Sequence, residues 1–514
     1  MPWSAERGHF VVDPVDDVYA FFLTVGSPAL AAYSLQITQL NARWLFRLFS
    51  GVNYRNSNAI PTAISALQHI PNRLSPNPIL LPSLIVLPQN EEYWGILLKS
   101  ARKIRRWSVS LVVNFVWIIV SAILTIIGTF YAPVPGEIGY GTVTSLAYLL
   151  PLMIGWLYVG SEPESGHLKD SLKEANSVAR VATDKRDEPV FAKDLKGQPN
   201  RPIEAVERHR VDLARKDESR TNPIFNYSRA FFWAQNAEVI YRLVRNAAER
   251  EERGVSVHCP STMDGAGARA TKDRNWTANE VIRHCAPGDA PFERLFKAPL
   301  PILLSPLGFP NCSATIGLLP SFVGHKGIQE PSLWPAGTWE RVALAASLAL
   351  GLQWGTTGAG IFIYYRMHPV GLGCRTTSLL IYGILGTVSF LLLLASSILA
   401  HLSRPRPGPG HRYSRFRVSQ EFGAILCRWL GKIVATISGL GILVISLVQP
   451  LGIFDNCWCS TMTFDRPSRP VAFMMGNFIT QWGVLPDWIG GLAMAFGAAT
   501  LFGFFIYLGT PRGR

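Results

Sequence analysis

The sequence predicts an all-α, polytopic helical membrane protein of about seven transmembrane helices with a large cytoplasmic loop. Three observations carry that expectation. Hydrophobic residues make up 48% of the 514-residue chain and charged residues only 16%, a balance typical of membrane proteins. The apolar residues are gathered into runs that, as helices, are long enough to cross about 30 Å of hydrocarbon. Basic residues, the source of the +14 net charge, are concentrated in short loops beside those runs, as in cytoplasmic loops of membrane proteins.

The amino-terminal membrane region, residues 1–159, holds runs at 18–37, 108–131 and 140–159. The first, VYAFFLTVGSPALAAYSLQI, has Gly26, Ser27 and Pro28 at its centre. A membrane helix tolerates such a break when neighbours satisfy the freed backbone groups. Asp13, Asp16 and Asp17 precede it, unlike the basic start of a secretory signal peptide, so no cleavage is expected. The carboxyl-terminal membrane region, 337–514, holds runs at 342–365, 377–402, 432–454 and 488–507. Trp107, Tyr131, Tyr140, Trp156 and Trp488 stand near run ends, where amphipathic rings anchor at headgroup level. The apolar patches at 79–87 and 299–323 are too short or too rich in proline to cross, and are expected as interfacial or buried loops.

Threading follows from the basic loops. Arg43, Arg47, Arg55, Arg73, Lys99 and Arg102 lie between the first and second runs, and Arg404, Arg406, Arg412, Arg415 and Arg417 between the fifth and sixth. Both connections are expected in the cytoplasm, which puts the amino terminus outside and the carboxyl terminus, with Arg512 and Arg514, inside. The membrane is the plasma membrane or an endomembrane.

Residues 160–336 form the expected cytoplasmic loop region, partly disordered. From 161 to 221 the composition is charged with no sustained period and reads as disordered or loosely helical chain. Residues 224–252 differ: Phe225, Phe232, Val239, Leu243 and Ala247 recur near helical spacing, with Arg229, Glu238, Arg242 and Glu249 on other faces, the pattern of an amphipathic helix. Its apolar face is expected to pack on its own domain or on the bundle ends; a membrane surface or a protein partner is the alternative. The pairs His258-Cys259 and His284-Cys285 lack ligand spacing, since adjacent side chains on an extended chain diverge, so no metal is expected. DGAGARATK at 264–272 lacks Walker spacing and a preceding apolar strand. No cofactor is expected. Basic residues here alternate with acids and lack stacking aromatics, which argues against nucleic acid. Asn226, Asn275 and Asn311 match the glycosylation acceptor pattern but fall on the cytoplasmic side of this threading.

No Asp, Glu, His, Lys or Arg lies in the middle of any run, which argues against a proton relay or an ion-coupled pump. Gln353, Thr356 and Thr357 are the candidates for a polar cavity lining. Arg428 and Lys432 lie near a cytoplasmic end, where long basic side chains can snorkel. Gly491, Ala495, Ala499 and Gly503, each four apart, form a ladder suited to close helix packing.

QWGTTGAG at 353–360, GLGC at 371–374 and DNCWC at 455–459 together resemble a family of uncharacterised polytopic membrane proteins of filamentous fungi. The resemblance implies a fungal membrane protein and supplies no activity, cofactor or catalytic residue. Arg375, Thr376 and Thr377 depart from the small polar residues it implies after GLGC.

In the preferred threading Cys374, Cys457 and Cys459 lie on the outer, oxidising face. Cys457 and Cys459 are too close in sequence to pair comfortably, so one bridge from Cys374 to either is expected. Unpaired thiols, or a zinc or copper site completed by His368, are the alternatives. His368, His401, Asp455, Asp465 and Asp487 stand at run ends without catalytic spacing, so no enzyme is expected. The expectation is a non-enzymatic sensor, scaffold or receptor-like component whose partners are the lipid bilayer and a protein reached through the cytoplasmic loop. The alternative is a facilitative transporter or channel. A water-accessible cavity reaching Gln353, Thr356 and Thr357 would favour the transporter, and a packed glycine seam the sensor.

Overall fold

The computed structural model describes residues 14–103, 120, 141–159, 165–183, 188–195, 200–206, 212–220, 222–253, 276–286, 333–366, 371–404, 415–448 and 481–509. These residues are mostly helical. The chain enters through α1 (Pro14–Gly26) and α2 (Pro28–Phe49). There follow α3 (Ala59–Ala66), β1 (Asn72–Leu74), α4 (Leu80–Val86) and α5 (Glu91–Lys103). Next come α6 (Gly141–Leu146), α7 (Leu149–Val159) and α8 (Ser165–Val178). Short strands β2 (Arg180–Val181), β3 (Val190–Phe191) and β4 (Ile203–Ala205) lead to a 3₁₀ segment, Leu213–Ser219. The remaining helices are α9 (Asn226–Glu252), α10 (Ala278–Cys285), α11 (Thr338–Arg366), α12 (Cys374–Leu402), α13 (Arg415–Val448) and α14 (Gln481–Gly509).

Two cores organise these elements. One gathers Phe49 of α2, Leu84 of α4, Trp94 of α5, Leu172 of α8, Trp233 and Leu243 of α9 and Val281 of α10. The hydrophilic region therefore shares a core with the first basic loop. Two antiparallel strand pairs, β1 with β4 and β2 with β3, close it, with Arg73 opposite Glu204 and Val181 opposite Val190. The sequence reads 161–221 as disordered or loosely helical, yet α8 and the short strands are ordered within it. The reason is a sparse stripe: Leu168, Leu172, Ala175 and Ala179 recur at helical spacing and all are buried, although charged residues between them dilute the pattern. The apolar patch at 79–87 is the short helix α4, buried from Leu80 to Val86. The expected helix at 224–252 is α9, but its faces differ from the expected ones: Arg229 and Glu238 are buried, while Phe232 and Val239 are only partly buried.

The second core lies in the membrane bundle, where α2, α11, α12, α13 and α14 meet. Among the described residues, three helices are long and apolar enough to cross a membrane: Cys374–Leu402, Phe416–Ser446 and Pro486–Leu508. A fourth span arises if α1 and α2, which together are long and apolar enough but meet at 101°, count as one. Their outer faces expose Ile381 and Leu391 on α12, Trp429, Ile433 and Ile437 on α13, and Phe496, Leu501 and Phe504 on α14. Continuous apolar faces of this extent mark contact with lipid.

These helices differ from the expected runs in four places. The run 18–37 is no straight crossing but the sharply bent α1–α2 pair. The run 140–159 divides at Ala147-Tyr148 into α6 and α7, leaving only a shorter apolar stretch at Thr144–Trp156. The run 342–365 belongs to α11, which is long enough but is not among the spans; Gln353, Trp354, Thr356 and Thr357 dilute its apolarity. The run 432–454, described as far as Val448, lies in α13, which begins at Arg415 because Arg428 and Lys432 turn inward and the helix passes through them. The run 108–131, apart from Val120, lies outside the described residues, as does the patch at 299–323.

The small-residue ladder is used unevenly. A Cβ at Gly491 would lie 2.5 Å from Ile363 Cγ1, and Ala495 is buried, so both bring α14 close to α11. Gly355 makes its close approach to Ala498, outside the ladder, while Gly503 and Gly351 face open space. Ala499 packs at the edge of the bundle core. The tightest approach in the bundle is Gly26, where a Cβ would fall 1.8 Å from the Ala435 carbonyl oxygen of α13. Gly26→Ala and Ala495→Leu should each lower stability by about 1–3 kcal/mol or more, because backbone must move to admit them. Gly351→Ala should be neutral or slightly stabilising. Thermal unfolding in detergent checks this, and equal midpoints for all three variants would remove the close-packing account.

Candidate functional site

The break between α1 and α2 sets the chemistry of the bundle interior. Ending one helix and starting another leaves carbonyls and N–H groups without intrahelical partners, and lipid supplies none. On the α1 side, Tyr148 Oη donates to the Thr24 carbonyl at 3.1 Å and Tyr382 Oη to the Val25 carbonyl at 2.7 Å. Ser27 Oγ donates to the Gly386 carbonyl at 2.9 Å, tying the break to α12. On the α2 side, Pro28 has no N–H to satisfy. The Ala29 N–H donates to Gln353 Oε1 at 3.0 Å, and the Leu30 N–H to the Ser27 carbonyl at 3.0 Å. Gln353 Nε2 donates to the Gly383 carbonyl at 2.8 Å and to Thr387 Oγ1 at 2.9 Å.

Gln353 is thus a side-chain cap for α2. Thr356 and Thr357 are, like Gln353, fully buried; Thr356 Oγ1 bonds back to the Leu352 carbonyl at 2.9 Å. A surface cavity of about 310 Å³ is lined by Tyr54, Asn56 and Leu98, and a cleft of about 10 Å³, room for one water, by Asp217, Tyr227, Ser397 and Arg428. Gln353, Thr356 and Thr357 line neither.

A second polar centre joins the hydrophilic layer to the bundle. The 3₁₀ segment Leu213–Ser219 places Asp217, 3% exposed, beside α13. Its carboxylate accepts Lys432 Nζ at 2.5 Å and Tyr227 Oη at 2.6 Å, with Arg220 Nε at 3.7 Å. Burial acts to raise the Asp217 pKa, but the charge and hydrogen bond of Lys432, the Tyr227 hydroxyl and Arg428 outweigh it and hold the carboxyl below its usual range. Burial and the Asp217 charge push the Tyr227 phenol well up. Beside this pair Arg404 bonds Glu218 and Arg428 donates to the Leu213 carbonyl. The expected snorkelling of Arg428 and Lys432 is therefore replaced by buried pairing: both are under a tenth exposed.

The helix α9 contributes to both cores and, through Tyr227, to the Asp217 centre. Ser34 Oγ donates to the Ile224 carbonyl at 2.6 Å and Ser397 Oγ to the Tyr227 carbonyl at 3.0 Å, fastening its start to α2 and α12. Asn226 Nδ2 donates to Thr38 Oγ1 at 2.8 Å and to His69 Nδ1 at 3.3 Å, while Arg229 donates to Asn226 Oδ1. Further along, Trp233 Nε1 donates to the Ile64 carbonyl at 2.9 Å. Asn226, an acceptor pattern in sequence, is buried with its amide engaged. Burial, then the nearby Arg229, lower the His69 pKa to about 3.

The other sequence candidates separate. His284 and Cys285 end the helix α10, with His284 5.0 Å from the Trp276 ring and Cys285 a buried free thiol. No group of three or more His, Cys, Asp or Glu among the described residues could hold a metal. His401 is buried, its Nε2 2.9 Å from the Leu333 carbonyl, and Asp487 accepts Arg366 Nε at 3.2 Å. No two described cysteines are bridged, Cys285 and Cys427 being free. Cys374 is disulfide-bonded, so its partner lies outside the described residues, where Cys457 and Cys459 also fall. His258, Cys259, residues 264–272, Asn275, Asn311, His368, Asp455 and Asp465 lie outside them as well. Sequence reasoning missed Asp217, Tyr227, Glu218 and His69. The available signal was Lys432 with Arg428, basic residues set among apolar ones on α13 that need partners when buried. No known protein family, curated protein or solved structure matches the chain.

The buried histidines make stability depend on pH in a defined direction. His69 at about 3 and His284, lowered to about 4 by burial and then Arg250, both lie below the ordinary value of 6.5. The unfolded chain therefore takes up their protons first as pH falls. Their contribution is complete above about pH 6.5 and declines by about 1.4 kcal/mol per pH unit per histidine below it. The Asp217 contribution persists until the pH drops below the ordinary carboxyl value of 3.8, so the two windows separate. Between about pH 7 and pH 5 the unfolding midpoint should fall, and His69→Gln should flatten the slope by its own share. An unchanged slope in that variant would contradict the assignment.

Proposed function

We propose that the protein is a non-enzymatic, sensor- or receptor-like membrane component whose hydrophilic layer is clamped to the bundle and reports its arrangement. The observation that carries this reading is the Asp217 carboxylate, delivered by the hydrophilic layer and buried against Lys432 of α13. Any shift of α13 acts directly on Asp217, and through the Tyr227 hydroxyl on the start of α9. A facilitative transporter is the second reading, favoured by the broken α1–α2 pair, since discontinuous helices frame many transport sites. The full engagement of Gln353 at that break supports the sensor.

The same reading threads the chain across the membrane about seven times: the bent α1–α2 pair, 108–131, the α6–α7 pair, α11, α12, α13 and α14. The amino terminus is outside, and residues 160–336 are cytoplasmic, available to a protein partner. Membership in the fungal family rests on motif likeness alone.

In reconstituted vesicles the protein should add no solute permeability over empty vesicles, whereas Asp217→Asn should speed hydrogen exchange across 213–219 and the first turns of α9. Permeability that Gln353→Ala abolishes would establish the transporter reading, and unchanged exchange in Asp217→Asn would remove the clamp. The outer face of this threading also pairs Cys374 with Cys457 or Cys459. Peptide mapping without reductant should yield a linked peptide joining Cys374 to the 454–460 segment, and full alkylation of all three thiols would exclude it.

A further inference from the structure

The surface cavity of about 310 Å³ in the hydrophilic layer takes no part in the α1–α2 break or the Asp217 centre; Tyr54, Asn56, Ser57, Asn58, Ala59 and Leu98 line it. Its volume falls at the lower end of small-molecule sites, about 300–1,000 Å³. The loop that follows α2 builds one wall. Asn56 is the only non-glycine among the described residues with positive φ, 60°, a left-handed conformation that asparagine tolerates better than most residues. The Ser57 N–H then donates to the Tyr54 carbonyl at 3.1 Å, and those of Ala59 and Ile60 to the Asn56 carbonyl at 2.9 and 3.0 Å. Backbone groups are thus spent within the loop, and side chains are not. Asn56 and Ser57 make no side-chain hydrogen bond, and Asn58, at the N-cap of α3, makes no capping bond. Two carboxamides and a hydroxyl, held on an ordered turn, line one cavity with their donors and acceptors uncommitted.

The rest of the lining is apolar. Tyr54 packs against the core of the hydrophilic layer, 6.3 Å from the His284 ring, which fixes its own ring in place. Leu98 of α5 is half-buried, as is Tyr54. None of the described residues that line the cavity is charged; Arg55, between Tyr54 and Asn56, has its Nε 3.8 Å from the Glu91 carboxylate. A charged ligand would find no opposite charge here, and a purely apolar one would leave Asn56 and Ser57 covered and unpaired, which is costly. A molecule that fits has hydroxyls able both to donate and to accept, beside a C–H surface to lay on the tyrosine ring and the leucine. Sugars and cyclic polyols combine the two.

We propose that this cavity binds an uncharged polyhydroxylated molecule of monosaccharide size, its hydroxyls held by Asn56, Ser57 and Asn58 and its C–H face against Tyr54 and Leu98. The site is independent of the sensor reading.

The full chain, purified in a detergent without a sugar headgroup, is titrated with glucose, mannose, galactose and inositol. Binding is followed by saturation-transfer NMR on the ligand and by thermal unfolding. At least one of the four should bind saturably and raise the unfolding temperature, and glucuronate, a glucose ring carrying a carboxylate, should bind no better than glucose. Asn58→Ala removes a carboxamide that caps nothing, and Asn56→Gly removes the other while keeping the left-handed turn. Each should weaken binding about fivefold, the equivalent of about 1 kcal/mol for one hydrogen bond. If one variant does not fold, the other decides. Lys99→Gln, next to Leu98 but outside the cavity, should bind like the unaltered chain. No saturable binding of any of the four, undiminished binding in the folded asparagine variants, an equal loss in Lys99→Gln, or tighter binding of glucuronate than of glucose would each overturn the site.

Discussion

A helix that stops and restarts inside an apolar bundle must have its severed backbone groups met by protein, because lipid offers no hydrogen bonds. Everything around Gly26-Ser27-Pro28 follows from that constraint. Tyr148, Tyr382 and Gln353 supply missing partners, and they come from the α6–α7 connection, α12 and α11. The bend also fixes which residue can stand at its corner. Only glycine lets the chain lie against Ala435 of α13, so the break draws these helices to a single point. Gln353 of α11 is accounted for by this geometry before any solute is considered.

The turn at Ser27 has a second consequence. It redirects α2 so that its far end, Leu45 and Phe49, enters the core of the hydrophilic layer, while its near end remains in the bundle. The helix α9 is the counterpart, beginning among Ile224, Phe225 and Tyr227 in the bundle core and ending among Leu243 and Ala247 in the other. Two helices thus belong to both cores. A polar contact between them, Asn226 to Thr38, with Asn226 also held by His69 beyond α2, locks their relative rotation more sharply than apolar contact alone, since buried polar groups are costly to leave unpaired.

The Asp217–Lys432 pair sits where these couplings converge. Burying both charges has a desolvation cost comparable to their attraction, so such a pair is a weak source of net stability but is strongly destabilising to break on one side. That asymmetry suits a contact whose integrity depends on alignment of two layers.

Membrane class, helical content, the positions of α12 and α14 and the amphipathic α9 were legible in the sequence, because each depends on local composition and spacing that survive without knowledge of neighbours. The stripe Leu168, Leu172, Ala175 and Ala179 was locally present too but too sparse to stand out among charges. Boundaries failed where polar residues interrupt apolar runs: α13 begins well before residue 432 because Arg428 and Lys432 have partners, and α11 is polar at its centre because it caps another helix. Those partners are remote. Asp217 stands 215 residues from Lys432, and Ala29 stands 324 from Gln353, separations over which no periodicity carries information. The sequence alone thus determined which segments prefer lipid to water, a property of each segment's own side chains. Only the tertiary structure decided what each buried polar group is for, because a donor's role depends on the acceptor that folding places opposite it.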